Sequence, residues 1–154
     1  MQGGLQRRNI VESDKSVLFT WRIEGTNPDF QRGTVFNWAT HDSWFRKRMV
    51  ESANLPFVAY EVEGNVVSYC RIDDDNGTLM VSLIVSPLYR NQGMGQQSLR
   101  DFVDYCDGEL GIHQMFALIH KLNAPSIRIF ERIGFRYDIQ LDSEFNRYVW
   151  ISIP

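Results

Sequence analysis

Apolar and polar residues alternate with two different periods along this chain, and the changes of period predict its secondary structure. Strand-like patterns cover seven segments: Asn9–Glu12, Phe57–Val62, Val66–Ile72, Thr78–Val85, Gln114–Ile119, Phe135–Leu141 and Asn146–Ile153. Helical spacing of apolar residues follows four starting points, at Ser13 or Asp14, Thr40, Met94 and Asn123. The predicted order is therefore β-α-α-β-β-β-α-β-α-β-β, an α/β fold.

The segments between these elements carry residues typical of turns. Asn27-Pro28 and Gly33 mark a loop between the first two helices, and Gly134 ends the last helix by adopting a left-handed conformation. Two hairpins are predicted at Glu63-Gly64-Asn65 and Asp73–Gly77, because Asn and Gly accept positive φ angles. The acidic residues that open the second hairpin are interpreted as a solvated turn.

A glycine-rich turn joins the strand Thr78–Val85 to the helix that begins at Met94. Its sequence, Arg90-Asn-Gln-Gly93-Met-Gly95, puts two glycines in the first turn of that helix. The first turn has unpaired N–H groups and the positive end of the helix dipole, and glycine lets an anion approach the backbone closely. Arg90 adds a cation beside them. The segment therefore predicts a pyrophosphate-binding turn, the alternative being an ordinary strand-to-helix connection.

A second motif follows further along the chain: Asn123-Ala-Pro-Ser-Ile-Arg-Ile-Phe-Glu-Arg-Ile-Gly134-Phe135. Together with Val85-Ser-Pro and the glycine turn, it resembles the GCN5-related N-acetyltransferase (GNAT) superfamily. The resemblance implies a mixed, mostly antiparallel sheet of six to seven strands with about four helices, splayed at its central strands. It also implies acetyl-CoA as the cosubstrate.

The resemblance assigns roles in acetyl-CoA binding. The backbones of Ile84 and Val85 would hold the pantetheine arm, with Ile84 as the backbone donor to the oxyanion of acetyl transfer. The phosphates would take N–H bonds from six consecutive residues beside Arg90: Asn91, Gln92, Gly93, Met94, Gly95 and Gln96. Asn123 would lie near the pantetheine arm while also capping its helix.

The sequence departs from the family's pattern where protons are expected to move. Phe130 stands where the family has a tyrosine that protonates the departing thiolate, so Phe130 lines the cofactor site and the general acid is unassigned. Leu118 replaces a carboxylate that peptide-modifying relatives often carry. Strand alternation puts His120 on the same side as Leu118, and an imidazole with a pKa of about 6.5 suits deprotonation of an amine. His120 is therefore the candidate general base, the alternative being an incidental histidine.

The N-terminal third carries the residues expected to select the acceptor. Trp21-Arg22 and His41-Asp-Ser-Trp44-Phe45 resemble a pattern of bacterial acetyltransferases that act on amino-sugar nucleotides. That resemblance implies that Trp21, Arg22 and His41 bind the acceptor, with Arg22 and His41 suited to a ribose or diphosphate. The alternative is that Trp21 and Trp44 are core residues at helical spacing.

Length, charge and cysteine content limit the other classes of protein. The 154 residues suit one domain spanning 1–154, and a net charge of −3 without a long basic run disfavours nucleic acid as a partner. No apolar segment is long enough for a membrane span and the N-terminus lacks a signal-peptide core, so we expect a cytoplasmic protein with no membrane partner. Cys70 and Cys106 are interpreted as reduced core thiols, and no metal-binding spacing occurs.

The sequence therefore predicts an acetyl-CoA-dependent N-acetyltransferase that acts on a small primary amine, such as an amino-sugar nucleotide, by direct transfer in a ternary complex. It is expected to be a monomer or a homodimer. Two other interpretations stay open. Leu118 disfavours a peptide or protein N-terminal acetyltransferase, whereas Phe130 permits a non-catalytic acetyl-CoA-binding module.

Overall fold

The structure, a computed structural model, describes residues 4–24 and 36–153. Its strands are β1 Gln6–Asn9, β2 Phe57–Val62, β3 Asn65–Asp75, β4 Thr78–Val85, β5 Gln114–His120, β6 Arg136–Gln140 and β7 Phe145–Ile151. Its helices are α1 Asp14–Glu24, α2 Trp38–Glu51, α3 Met94–Gly108 and α4 Ala124–Ile133. The predicted order of elements is confirmed, whereas Asn27-Pro28 and Gly33 lie outside the described residues.

The strands form one sheet in the order β1-β2-β3-β4-β5-β7-β6. Neighbouring strands are antiparallel except β4 and β5, which run parallel. β3 pairs with the whole of β4, Thr78–Val85. The register between β4 and β5, by contrast, contains the pair Met80 and Phe116 alone among the described residues, so these two strands separate beyond that pair. The predicted α/β sheet with splayed central strands is confirmed.

Helices cover both faces of the sheet because successive strand residues point to opposite faces. In β2, Val58 and Tyr60 belong to the core under α3 and α4, whereas Phe57 and Ala59 belong to the core under α1 and α2. The thiols of both cysteines are free and buried in the first of these cores. Within the described part of the chain, no helix combines the length and the apolar content needed to cross a bilayer.

The first strand lies earlier in the chain than predicted, since Asn9 ends β1 instead of starting it. The reason is that β1 is polar. Arg7 forms an ion pair with Asp101 of α3, and Arg8 forms one with Glu61 of β2. Charged residues with partners on neighbouring elements replace the apolar alternation by which a strand is recognised in a sequence.

Two other boundaries differ from the prediction by three residues each. Asn37, not Thr40, is the N-cap of α2: its side chain accepts from the Thr40 N–H at 2.9 Å, and the Thr40 hydroxyl accepts from the Asn37 N–H at 3.0 Å. Strand β3 continues to Asp75 rather than ending at Ile72. The acidic residues interpreted as a solvated turn therefore belong to a strand, because pairing with β4 extends the ladder through them.

A buried polar cluster ties the start of α1 to the sheet. The Asp14 carboxylate is 2% exposed and accepts two bonds from the Arg8 guanidinium, each 2.9 Å, and one from the Tyr69 hydroxyl at 2.6 Å. The Val11 N–H donates a fourth bond at 2.8 Å. Burial opposes ionisation, but the hydrogen bonds outweigh it and leave the pKa of Asp14 below its usual value. The cluster fixes the helix that carries Arg22.

Candidate active site

A cavity of about 450 Å³ opens where β4 and β5 separate. One flank comes from α1, α2 and β3 and includes Arg22, Trp44 and Arg71. The other comes from β5 and α4 and includes His120, Asn123 and Phe130. A cleft of this volume with a few convergent polar groups suits a small molecule.

The glycine turn before α3 exposes backbone N–H groups. Asn91 and Gly93 have positive φ angles of 61° and 78°, a conformation that gathers successive N–H groups into a concave nest. Gly93 is the N-cap of α3 and provides no side-chain acceptor, and the first bond of the helix runs from the Gln97 N–H to the Gly93 carbonyl at 3.1 Å. The N–H groups of Met94, Gly95 and Gln96 therefore have no acceptor within the helix. Arg90 is exposed beside this turn.

Gly95 differs from Gly93 in the reason why glycine is needed. A Cβ atom at Gly95 would lie 3.0 Å from Cδ1 of Ile129 and 3.1 Å from Cγ2 of Val85. Helix α3 therefore approaches α4 and β4 closely because residue 95 has no side chain. The sequence suggested that both glycines make room for an anion, but at Gly95 the missing side chain makes room for protein. At Gly93 a Cβ would have space, and it is the left-handed backbone that favours glycine.

The register of β4 determines which backbone groups face the gap. The Ser86 N–H donates to the Val67 carbonyl of β3 at 2.8 Å, and N–H groups along a strand point alternately to its two neighbours. The Ile84 N–H therefore points toward β3, opposite Tyr69, while the Val85 N–H points toward the side of β5. The oxyanion donor predicted at Ile84 is thus directed into the β3–β4 ladder, and Val85 is the neighbour whose N–H faces the gap.

Helix α4 contributes its N-terminus and one face to the cavity. Asn123 is the N-cap, since its Oδ1 accepts from the Ser126 N–H at 3.4 Å, which confirms the predicted capping role. Ser126 and Phe130 lie one turn apart and both line the cavity. Phe130 is 3% exposed and packs edge to face against Phe135, with 5.0 Å between ring centroids. The hydroxyl-bearing residue of this helix face is therefore Ser126.

His120 ends β5 with its ring in the cavity wall. Its Nδ1 accepts a hydrogen bond from the Leu122 N–H at 3.1 Å. Because a backbone N–H can only donate, Nδ1 carries no proton and the neutral ring has its proton on Nε2. Nε2 lies 3.8 Å from a carboxylate oxygen of Glu144. This tautomer presents a donor instead of a lone pair at Nε2, which disfavours the base role predicted for His120.

Two guanidinium groups line the other flank. The Cζ atoms of Arg22, in the last turn of α1, and Arg71, in β3, lie 5.2 Å and 4.9 Å from the centroid of the Trp44 ring. Burial and repulsion by Arg71 lower the pKa of Arg22 to about 10, so Arg22 stays charged at neutral pH. This flank of the cavity therefore carries two neighbouring positive charges.

Carboxylates of β3 lie beside these charges. Strand alternation puts Asp73 and Asp75 on the same face as Arg71. Asp73 pairs with Nε of Arg71 at 3.1 Å and, through its other oxygen, with Nε of Arg48 at 2.8 Å. Asp75 lines the cavity from an exposed position at the end of the strand. Among residues 4–24 and 36–153, no three His, Cys, Asp or Glu side chains form a group that could hold a metal ion.

The other two residues predicted to bind the acceptor lie in the core under α1 and α2. Trp21 is 9% exposed and packs against Tyr69, with 5.1 Å between ring centroids. His41 is 1% exposed, and its Nε2 lies 2.7 Å from the Lys15 carbonyl. Burial lowers the pKa of His41, so its ring is neutral at pH 7 and donates to that carbonyl. Of the three predicted residues, Arg22 alone lines the cavity that the described residues form.

Sequence reasoning missed Arg71 and interpreted Trp44 as either a motif or a core residue. A signal for Arg71 was present, because the charged residues Arg71 and Asp73 alternate with the apolar Ile72 at the end of an apolar strand. Assigning the acidic residues to a turn removed that alternation. Trp44 has no such local signal, since its place in the cavity depends on how α2 packs on the sheet.

The chain is similar to known acetyltransferases. The chain matches the family model of the acetyltransferase (GNAT) domain over residues 6–136. It is 21% identical over 135 residues to the spermidine N(1)-acetyltransferase of Escherichia coli strain K12, covering 88% of this chain and 69% of that protein. It is 29% identical over 114 residues to the L-methionine sulfoximine/L-methionine sulfone acetyltransferase of Pseudomonas aeruginosa, covering 70% and 65% of the two chains.

The fold is also similar to that of a solved structure. A protein from Salmonella typhimurium, solved with its cofactor acetyl-CoA, is similar with a TM-score of 0.76 and 21% identity, covering 98% of this chain and 95% of that chain. This likeness shows a shared fold. The matched segments span about two thirds of the length of the two curated relatives.

Proposed function

The chain belongs to the GNAT acetyltransferase family, and from that premise we propose that its cavity transfers the acetyl group of acetyl-CoA directly to the primary amine of a small molecule. The observation that carries this proposal is the opening between β4 and β5. It leaves backbone N–H groups of β4 facing a cavity with one flank from α1, α2 and β3 and a second flank from β5 and α4. Direct transfer needs both substrates in one cavity, and the two flanks provide a place for each.

The residues of β4 and α4 suit the chemistry of acetyl transfer. The carbonyl of a thioester gains negative charge as the amine attacks, and the Val85 N–H, rather than that of Ile84, is the proposed donor to that charge. The backbones of both residues would hold the pantetheine arm, with Asn123 beside it. A thiol with a pKa of about 8.5 leaves tolerably as a thiolate at pH 7, so Phe130 does not prevent the reaction. Ser126 is the candidate to assist that departure.

The glycine turn fits the phosphates of the cosubstrate. Its nest and the first turn of α3 supply backbone donors from Asn91 to Gln96, and Arg90 lies beside them. Backbone N–H groups at a helix start bind phosphate oxygens whatever the side chains are. The six residues from Asn91 to Gln96 are therefore our proposed pyrophosphate site.

Replacing Gly93 with valine should lower the affinity for acetyl-CoA at least tenfold, or by about 1.4 kcal/mol. The reason is that valine disfavours the φ angle of 78° that shapes the nest. Titration calorimetry with acetyl-CoA measures the effect. Gly111→Val is a matched control, because Gly111 has a φ of 68° and open space around it but follows the opposite end of α3. An unchanged affinity of Gly93→Val for acetyl-CoA would refute the proposal that this nest binds the phosphates.

For His120 we propose a role as an Nε2–H donor that orients a substrate oxygen. His120→Ala should then lower kcat by about tenfold or more, whereas His120→Gln, which keeps an N–H donor, should retain most of the activity. The acidic limb of the pH profile of kcat/KM should persist in both variants. Circular dichroism checks their folding. Loss of that limb in both variants would instead support the general-base role predicted from the sequence.

A panel of amines tests the proposed function through the release of CoA from acetyl-CoA. The panel includes an amino-sugar nucleotide, as the sequence predicts, together with the polyamine and amino-acid classes named for the two relatives. Amine-dependent release supports the proposal. Binding of acetyl-CoA without release with any amine would indicate the non-catalytic binding module. Acetylation of peptide N-termini alone would indicate the peptide-modifying enzyme.

A further inference from the structure

Two guanidinium groups, those of Arg22 and Arg71, share one flank of the proposed acetyl-transfer cavity. They come from separate elements, α1 and β3, and both lie over the ring of Trp44. Two like charges on one flank repel each other, and after burial this repulsion by Arg71 is the second cause that lowers the pKa of Arg22. An anion bound between the two groups would relieve the repulsion.

Among the described residues, the carboxylate that contacts Arg71 does so on one side of its guanidinium group. Asp73 contacts Arg71 through Nε, and its other oxygen forms an ion pair with Arg48, which also pairs with Glu51. The contact through Nε leaves the two terminal nitrogens of Arg71 outside it. These nitrogens form the fork that binds an oxyanion in a bidentate manner. Asp75 lies on the same strand face but at its exposed end.

Aromatic rings hold the guanidinium groups in place. Besides Trp44, the Phe36 ring lies under Arg22, with 4.2 Å between its centroid and Cζ. Side chains that are already ordered lose less conformational entropy when a ligand binds. The Arg22–Arg71 pair therefore has the charge, the donor geometry and the preorganisation of an oxyanion site.

We propose that the acetyl acceptor is a primary amine that also carries an oxyanion, a carboxylate or a phosphate, bound between Arg22 and Arg71 while its amine enters the opening between β4 and β5. This inference rests on the proposed function and narrows its acceptor class. In the reaction the amine nitrogen bonds to the acetyl carbon, the carbon–sulfur bond breaks, CoA leaves as the thiol, and one proton of the original ammonium passes to solvent. A polyamine carries no oxyanion, so the two guanidinium groups would not bind it.

The first arm of the experiment compares acceptors that differ in the anion. An α-amino acid is paired with its carboxamide, an amino-sugar phosphate is paired with the free amino sugar, and spermidine is the cationic acceptor. We expect kcat/KM to be at least tenfold higher for the anionic member of one pair, and spermidine to be the poorest substrate. The amine of a carboxamide is the less basic of its pair, so reactivity alone would favour the carboxamide. The pair with the larger ratio identifies the oxyanion as carboxylate or phosphate.

The second arm compares variants with the preferred acceptor. Arg22→Gln should raise the KM for that acceptor at least tenfold and leave the KM for acetyl-CoA unchanged. Arg22→Lys should recover part of the loss, because it keeps the charge without the fork. Arg71→Lys should raise the same KM while keeping a cation beside Asp73. Arg46→Gln is the matched control, since Arg46 is 72% exposed on α2 and pairs with Asp42 outside the cavity.

The outcomes separate this inference from the proposed function. Equal use of the anionic and neutral members of both pairs, or a preference for spermidine, would overturn the inference while leaving an active acetyltransferase. An anionic preference that survives unchanged in Arg22→Gln and Arg71→Lys would also overturn it, because another site would then bind the oxyanion. Acetylation of no amine at all would overturn the proposed function, and the inference with it.

Discussion

Asp14→Asn should lower the free energy of unfolding by about 3 kcal/mol or more at pH 7, because it breaks a buried ion pair from one side. The carboxylate accepts four hydrogen bonds from Arg8, Tyr69 and Val11, and an asparagine amide satisfies at most part of them. Urea unfolding measures the change. Since α1 carries Arg22 about two turns after Asp14, we also expect the acceptor KM to rise more than the acetyl-CoA KM.

The cost of Asp14→Asn should depend on pH in a defined direction. The pKa of Asp14 is lower in the folded protein than the value of 3.8 for a free side chain. Its contribution to stability is therefore complete well above pH 3.8 and is lost as the pH falls through the folded-state pKa. The difference in unfolding free energy between wild type and variant should shrink over that acidic range. A constant difference would show that the Asp14 charge is not what stabilises the cluster.

Glu12→Gln is the matched control for Asp14→Asn. Glu12 is 71% exposed and pairs with Lys15 at the surface, where ion pairs contribute little. The Glu12→Gln substitution therefore removes one carboxylate charge from the same segment without disturbing a buried network. Unfolding free energies that fall equally in the two variants would mean that net charge, rather than the buried hydrogen bonds, determines the effect.

The sequence predicted elements whose signals are local. β4 has the predicted boundaries, Thr78–Val85, because a mostly apolar segment lies between two turns. Helix α4 follows its predicted cap Asn123 and stops at Gly134, where φ is 116°. β1 was misplaced because its partners are distant in the chain, and β3 was cut short because aspartates are poor strand formers until the neighbouring strand pairs with them.

In the candidate site, too, the features with local signals were predicted and those that depend on distant segments were not. The nest around Gly93 is a property of one short segment, so its residue types show it. The flank with Arg22, Trp44 and Arg71 forms only where α1, α2 and β3 meet. No single segment of the sequence shows which of its residues will meet there. Arg22 was therefore predicted from a motif without its partner Arg71, and His41, from the same motif, is buried under α1 and α2. The direction of the Val85 N–H likewise depends on strand register, which the sequence alone leaves undetermined.

Gly95→Val should destabilise the folded protein by about 2–3 kcal/mol, because extra carbon atoms in a packed core force neighbours to move. A Cβ at this position lies 3.0 Å from Ile129 and 3.1 Å from Val85, and valine adds two further methyl groups. Urea unfolding measures the loss. The new side chain should also displace Val85, the proposed oxyanion donor at the β4–β5 opening. We therefore expect kcat to fall as well, even at saturating acetyl-CoA.

The pair Gly95→Ala and Gly108→Ala separates packing from helix propensity. Both glycines lie in α3 without a positive φ, but a Cβ at Gly108 has no atom within 4 Å. Alanine favours a helix over glycine by about 0.5–1 kcal/mol, so Gly108→Ala should stabilise the protein or leave it unchanged. Gly95→Ala should destabilise it, since the Cβ must displace Ile129 and Val85. Equal stabilisation at both positions would contradict the packing role of Gly95. It would favour the role predicted from the sequence, in which Gly95 makes room for the pyrophosphate.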